Sequence, residues 1–79
     1  MKFTFDEKYN IAYICFKKKK EHVESVKVSE DVIIDLAPDG SIYGIELLNA
    51  KEQIFKGKLS KLTLINETTG KHKEIQLPF

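Results

Sequence analysis

The sequence contains no arginine, no tryptophan, one cysteine and no long apolar run. One cysteine excludes an internal disulfide and so a disulfide-stapled scaffold. All 13 basic residues are lysines. Because the guanidinium group makes most bidentate contacts to guanine and phosphate, the absence of arginine argues against sequence-specific nucleic-acid binding. Without a membrane span of roughly 18 apolar residues or the apolar core of a signal peptide, we expect no membrane association and a cytoplasmic location.

Length and charge predict one small globular domain. The 79 residues are 42% hydrophobic and 32% charged, with a net charge of +1, which excludes an intrinsically disordered chain. Residues 1–20 carry six lysines and two acids, residues 21–55 two lysines and eight acids, and residues 56–79 five lysines and two acids. Such segments of opposite sign can attract one another within a fold or across a dimer.

Alternation of polar and apolar residues predicts a β-rich chain. Phe3 and Phe5 alternate with polar neighbours, and residues 11–16 are apolar on both faces, which suits a central strand. Residues 22–28 predict a weaker strand whose broken alternation is typical of a bulge or a sheet edge.

A tight hairpin is the clearest local prediction. Residues 32–36 and 42–47 flank Pro38, Asp39 and Gly40, which suit a type I turn closed by a G1 bulge with a left-handed glycine. The expected register pairs Leu36 with Ile42, Asp35 with Tyr43, Ile34 with Gly44, Ile33 with Ile45 and Val32 with Glu46. On that register, each face of the sheet carries apolar side chains that need cover.

A short helix is predicted to cover one face. Asn49 and Glu52 form the pattern of an N-cap with its capping-box partner, and Gly57 marks the end of a helix of about two turns. The residues expected to pack it on the sheet are Ala50, Ile54 and Phe55.

The last part of the chain predicts a closing hairpin. Residues 59–66 and 72–77 flank a Glu-Thr-Thr-Gly turn. A helix over residues 59–66 stays open, because Leu59, Leu62 and Ile65 also fit a three-residue spacing, although the β-branched residues favour a strand.

Together these elements predict a single α+β domain over residues 1–79, with its C-terminal hairpin over residues 58–79. The sheet is an antiparallel β-meander of about six or seven strands, with one short helix packed on one face. The other apolar face, with Ile33, Ile45 and Val26, has no cover left in the chain. We therefore expect it to pair with a copy of itself in a two-fold homodimer.

Two segments resemble a known family. Residues 5–14 and, more specifically, the strand, glycine turn and helix start over residues 31–50 are similar to the domain of unknown function 2283 (DUF2283), a family of small prokaryotic proteins. The resemblance covers about residues 3–50. Asn10 and Asn49 stand where the family usually has aspartate. The resemblance implies no assigned activity and an association with toxin and antitoxin genes. The signature residues, for which we expect structural roles, are Asp6, Tyr13, Asp35, Asp39, Gly40, Gly44, Ile45 and Glu46.

The carboxylates of this signature have structural interpretations. Asp6 and Asp39 suit turns, where their side chains bond nearby backbone amides. Asp35 has Tyr43 as its expected cross-strand hydrogen-bond partner. Glu46 precedes a helix whose N-terminal amides favour negative charge.

The remaining reactive residue types predict no site. His22 and His72 lie fifty positions apart without a second ligand at a metal spacing, so we expect both on the surface. Cys15 lies within a strand, where it is expected to behave as a small buried hydrophobe. We therefore predict no catalytic residue, no metal and no cofactor.

The most distinctive candidate for a binding site is a run of four adjacent lysines, Lys17, Lys18, Lys19 and Lys20. They could contact phosphates, but a solvated loop is favoured because four contacts are few. The leading hypothesis is thus a non-enzymatic protein-interaction or regulatory module, with a toxin or another protein as a further partner. The first alternative is a nucleic-acid-associated protein that uses this run with Lys56, Lys58 and Lys61. The second is an enzyme with a carboxylate site around Asp35 and Glu46.

Overall fold

The structure is a computed structural model that describes residues 1–18, 22–55 and 61–79. These residues form seven strands and one helix in the following order: β1 Lys2–Asp6, β2 Ile11–Cys15, β3 Glu24–Ser29, β4 Val32–Leu36, β5 Ile42–Leu48, α1 Ala50–Gln53, β6 Lys61–Ile65 and β7 His72–Gln76.

The strands divide between two antiparallel sheets. The main sheet has the order β1-β2-β5-β4-β3, and β6 pairs with β7 in a separate two-stranded sheet. The predicted α+β class, with about six or seven antiparallel strands and one short helix, is confirmed. The order in space is not that of the expected single β-meander, because β5 returns to pair with β2, which leaves β1 and β3 as the two edges, and because β6 and β7 form a sheet of their own.

The turn between β4 and β5 forms as its residues predict. The Ala37 amide donates to the Ser41 carbonyl at 2.8 Å, and the Gly40 amide donates to the Ala37 carbonyl at 2.9 Å. Gly40 has a φ of 87°, the left-handed region that glycine occupies without steric cost. The predicted pairing of Leu36 with Ile42 is confirmed.

Beyond that pair, a β-bulge changes the register. Asp35 pairs with Gly44 instead of Tyr43, because Tyr43 is an extra residue of β5 with no partner residue on β4. The expected pairs of the remaining β4 residues are therefore wrong by one position. The observed pairs are Ile34 with Ile45, Ile33 with Glu46 and Val32 with Leu47.

The bulge sets which side chains of the main sheet lie together, since residues directly opposite one another share a face. The mainly apolar face, which we call the apolar face, comprises Phe3, Phe5, Ala12, Ile14, Glu24, Val26, Ser29, Val32, Ile34, Leu36, Ile42, Ile45 and Leu47. The more polar face, which we call the polar face, comprises Lys2, Thr4, Asp6, Ile11, Tyr13, Cys15, Ser25, Lys27, Ile33, Asp35, Gly44, Glu46 and Leu48. The expectation that Ile33 and Ile45 share a face is wrong for this reason.

The helix is shorter than predicted and is capped from another strand. It spans one turn, Ala50–Gln53, and Asn49 is left-handed with no side-chain cap bond. Asn10 supplies the cap instead, since its Oδ1 accepts from the Lys51 amide at 2.8 Å and its Nδ2 donates to Glu52 at 2.8 Å. The capping box predicted within residues 49–52 is therefore wrong, and the predicted end at Gly57 lies outside the described residues.

Strands β6 and β7 pair in the C-terminal hairpin. Residues 61–65 are therefore a strand and not part of the alternative helix over residues 59–66. After β7, the chain runs to Phe79, whose ring lies 6.0 Å from Phe3 and 5.3 Å from both Phe5 and Phe55, measured between centroids. This aromatic cluster covers the β1 end of the apolar face.

The core is thin. Among the described residues, the buried hydrophobic side chains are Ala12, Ala37, Tyr43 and Ala50, and no large side chain is fully buried. The large residues of the apolar face remain partly exposed, with Val26 at 39%.

We expect Asn10→Gly to lower the thermal unfolding midpoint by about 4–8 °C, which for a domain of this size corresponds to about 1 kcal/mol. Glycine keeps the left-handed backbone of Asn10, whose φ is 58°, but removes the acceptor of the Lys51 amide. Thermal unfolding followed by circular dichroism measures the shift. Asn49→Gly is the comparison variant and should shift the midpoint less, because it removes one side-chain hydrogen bond, from Asn49 to Asp31 at 2.8 Å, and no cap bond, whereas Asn10→Gly removes two. Equal shifts would contradict this assignment of the cap.

The same contact makes part of the stability depend on pH. The hydrogen bond from Asn10, followed by a backbone hydrogen bond, holds the pKa of Glu52 below its ordinary value of 4.5. A carboxyl whose pKa is lower in the folded state stabilises the protein above its unfolded pKa and loses this contribution as pH falls through the folded pKa. Urea unfolding should therefore show a larger difference between the wild type and Asn10→Gly at neutral pH than well below pH 4.5. A difference that is independent of pH would refute the coupling.

Candidate functional site

Three side chains of the polar face form a hydrogen-bond network around Asp35. This carboxylate is only 6% exposed, and it accepts from the Tyr13 hydroxyl at 2.9 Å and from the Ser25 hydroxyl at 2.7 Å. A buried carboxylate needs such partners because it has left water. The three residues come from β2, β3 and β4, so the network braces the sheet across β5.

Gly44 makes this network possible. It lies on β5 between Tyr13 and Asp35, and the Tyr13 side chain crosses above it. A Cβ at position 44 would overlap the Tyr13 ring and lie 2.6 Å from the Ile14 carbonyl oxygen. Glycine is required here by the close approach of the Tyr13 ring, and Gly44 pairs with Asp35 and not with Ile34 as expected.

The partner of Asp35 is also different from the one expected. Tyr43 does not face Asp35 but is 5% exposed at the bulge, where its carbonyl accepts from the amide of Phe16 at 2.8 Å. Tyr13, a signature residue, is the tyrosine that reaches Asp35. The single extra residue in β5 accounts for the exchange.

Two other signature carboxylates accept hydrogen bonds from turn residues, Asp39 from within its turn and Asp6 from the end of β1. Asp6 accepts from the Tyr9 amide at 3.1 Å. Asp39 accepts from the Ser41 hydroxyl at 2.6 Å and the Ser41 amide at 2.9 Å. These bonds, with a smaller contribution from the charge of Lys17, lower the pKa of Asp39 below its ordinary value. Both carboxylates therefore have local structural partners.

Glu46 shares the polar face with Asp35 but lies in the next row of the sheet. It is a half-buried residue within β5, paired with Tyr13 and with Ile33, and not at the start of the helix as predicted. The rows of Gly44 and Glu46 are separated by two residues, or about 7 Å along the strand. Asp35 already accepts hydrogen bonds on both oxygens, so the arrangement ties strands together.

The lysine run is only partly available for contacts with phosphate. Lys17 donates to the Ser41 hydroxyl, and its ammonium lies 5.3 Å from the centre of the Tyr43 ring. Lys18 is exposed, and Lys61 lies 3.7 Å from Glu74. The lysines outside the described residues are Lys19, Lys20, Lys56 and Lys58. Two of the lysines that the nucleic-acid alternative needs thus have partners within the chain.

The histidines and the cysteine lie apart. His22 and His72 are exposed, as expected, and the half-buried Cys15 thiol donates to the Lys17 carbonyl at 3.4 Å. Within residues 1–18, 22–55 and 61–79, no three histidine, cysteine, aspartate or glutamate side chains come together in a possible metal site. In the same part of the chain, no helix has the length and apolar character that a bilayer crossing requires.

Sequence reasoning missed two residues that matter to this face and its edge. Ser25 lies on β3 directly across from Asp35 on β4, a pairing between two strands whose register the sequence does not specify. Asn10 carries a signal of its own, an asparagine in a strand-to-strand turn, where this residue type tolerates a left-handed backbone.

A family model described as "Protein of unknown function (DUF2283)" matches residues 2–51. The match contains β1 to β5, the start of α1 and the whole Tyr13–Asp35–Ser25 network. It agrees with the resemblance noted over residues 3–50. No curated protein and no solved structure matches the chain.

We expect Tyr13→Phe to reduce the free energy of unfolding by about 1–3 kcal/mol, because it removes a hydrogen bond from a buried carboxylate. Urea unfolding monitored by circular dichroism measures the loss. Tyr9→Phe is the matched control, since Tyr9 is 66% exposed, and it should change stability by no more than about 0.5 kcal/mol. If the two variants are equally stable, the network does not brace the sheet.

Proposed function

The chain belongs to the family of proteins of unknown function DUF2283, and on this premise we propose that it is a non-enzymatic interaction module that associates with a second copy of itself. The surfaces that carry this proposal are the apolar face of the main sheet and the C-terminal hairpin, which lies beyond the family match. A regulatory role alongside a toxin would use the same property, namely a small domain completed by another polypeptide.

The area that one chain leaves exposed is the main support. A compact monomer of 9.1 kDa is expected to expose about 4,900 Å², whereas this chain exposes 6286 Å². The Cα radius of gyration is 14.2 Å, against about 12 Å for a compact domain of this length. A single chain is therefore too open to bury the surface that a domain of its size normally buries.

The area that the chain exposes beyond that of a compact monomer has the size of a protein interface. It amounts to about 1,400 Å², compared with about 800 Å² per partner in a standard stable complex and with larger values in obligate homodimers. A second copy can supply this burial in one symmetric contact, since a two-fold dimer buries the same patch on both chains.

The apolar face is where this burial is missing. The rings of Phe55 and Phe79 cover its β1 end, where Phe55 contacts Phe3 and Phe5 at centroid distances of 6.2 and 4.8 Å. Towards the opposite edge, Val26 pairs with Ile34, and Val26 is 39% exposed. Burial of a fully exposed aliphatic side chain contributes about 1.5–3 kcal/mol, and covering the part of Val26 that is still exposed would contribute a share of that value.

The polar face does not offer the same driving force. Its central carboxylate is satisfied by Tyr13 and Ser25, and its outer rows carry Thr4 and Lys27. Covering these groups would cost their hydration without a comparable apolar gain. Association through the apolar face is therefore favoured over association through the polar face.

We expect the wild type at micromolar concentration to have twice the 9.1 kDa mass of one chain in size-exclusion chromatography with light scattering. Val26→Lys should shift the protein to the single-chain mass, because it places an ammonium in the apolar face at a position that is already partly exposed. Circular dichroism checks that the variant keeps its strands.

Thr4→Lys is the matched control. It adds the same charge to an edge strand, on the polar face, and should leave the mass at two chains. A wild type that elutes as a single chain, or a Thr4→Lys variant that dissociates as completely as Val26→Lys, would contradict the proposal.

A further inference from the structure

The C-terminal hairpin has no cover of its own. Every residue from Lys61 to Gln76 is exposed, including Leu62 at 43%, Leu64 at 50% and Ile75 at 38%. An isolated two-stranded hairpin is marginally stable at best in water. This hairpin therefore needs a surface to pack against.

One face of the hairpin is suited to such packing. Leu62 pairs with Ile75, and Leu64 pairs with Lys73, so the two leucines and the isoleucine share a face. The opposite face carries the pairs of Thr63 with Glu74, Lys61 with Gln76 and Ile65 with His72. The hairpin is thus partly amphipathic, with a narrow apolar strip beside Lys73 on one face and mostly polar side chains, together with Ile65, on the other.

The apolar face of the main sheet is the matching surface in the same sequence. It is a β surface with partly exposed aliphatic side chains, and two such surfaces pack face to face at about 10 Å. Phe79 ties the end of the hairpin to the β1 side of the sheet through Phe3 and Phe5. The hairpin nonetheless keeps its strip exposed, so the strip is open to another chain.

Charge favours the same pairing. Residues 61–79 contain three lysines and two glutamates, whereas residues 22–55 contain two lysines and seven acids. Segments of opposite sign attract one another during encounter and disfavour contacts between like segments. A hairpin from one chain is therefore better matched in charge to the β3–β5 part of another chain's sheet than that part is to a second copy of itself.

We propose that two copies exchange their C-terminal hairpins, so that the strip of Leu62, Leu64 and Ile75 of one copy packs on the apolar face of the other copy, over Val26 and Ile34. This assignment rests on the proposed self-association and specifies its geometry. The exchange is reciprocal, which is the arrangement that two-fold symmetry requires.

The test uses single-cysteine chains in a Cys15→Ala background. Val26→Cys chains are mixed with tagged Leu64→Cys chains and oxidised, and the tag separates mixed disulfides from disulfides between like chains on a gel. Because each chain carries one cysteine, a mixed disulfide can form only between two copies. We expect it to be the main product, and severalfold more abundant than with Thr63→Cys, which lies on the opposite face of the hairpin.

A second measurement covers the case in which the cysteine variants fold poorly. Leu64→Lys should reduce the light-scattering mass to that of one chain, while Thr63→Lys should keep the mass of two chains. If the wild type is a dimer but Leu64→Cys and Thr63→Cys cross-link equally and Leu64→Lys stays dimeric, hairpin exchange is wrong and self-association stands. If the wild type is a single chain at micromolar concentration, both proposals fall.

Discussion

The β-bulge at Tyr43 is the constraint on which the rest of the structure depends. One extra residue in β5 shifts the register of β4 by one position, and a shift by one moves every side chain to the other face. With the bulge, Ile34 lies beside Ile45, and Asp35 lies beside Gly44. Without it, each face would mix buried carboxylate with aliphatic side chains, and neither the brace on the polar face nor a continuous apolar face could form.

The polar face of the main sheet is completed within the chain, whereas the apolar face is only partly covered. On the polar face, Asp35 is satisfied within the chain by hydroxyl groups from two other strands, with Gly44 leaving room for the Tyr13 ring. On the apolar face, the aromatic cluster around Phe55 covers one end only. A chain of this size has few residues left to complete the cover, and the segment that could do so, the C-terminal hairpin, is itself exposed on both sides. The surplus of exposed area follows from this division.

Backbone preferences that act over a few residues were enough to predict the strands and the turn, but not which side chains share a face of the sheet. The Pro38-Asp39-Gly40 turn and its first pair, Leu36 with Ile42, follow from backbone preferences that act over a few residues, and the structure has both. The bulge follows from no such preference. It is selected by the packing of the whole sheet, where Tyr43 is buried and Tyr13 reaches over Gly44. The polar network was hidden for a related reason, since the shifted register of β4 on β5 brings Asp35 beside Gly44 and within reach of Tyr13, while Ser25 joins through the separate pairing of β3 with β4. Asn10 shows a related limit, because a cap provided by a residue forty positions away leaves no pattern near the helix.

The central claim is that one chain does not bury enough surface to be stable alone, and the dependence of stability on protein concentration tests it most directly. For a protein whose folded state is a dimer, each tenfold increase in concentration adds about 1.4 kcal/mol to the apparent free energy of unfolding. Urea unfolding at concentrations from about 1 to 100 µM should therefore show a midpoint that rises with concentration. A midpoint that stays constant over this range would mean that the single chain is the stable folded unit, and it would contradict the account.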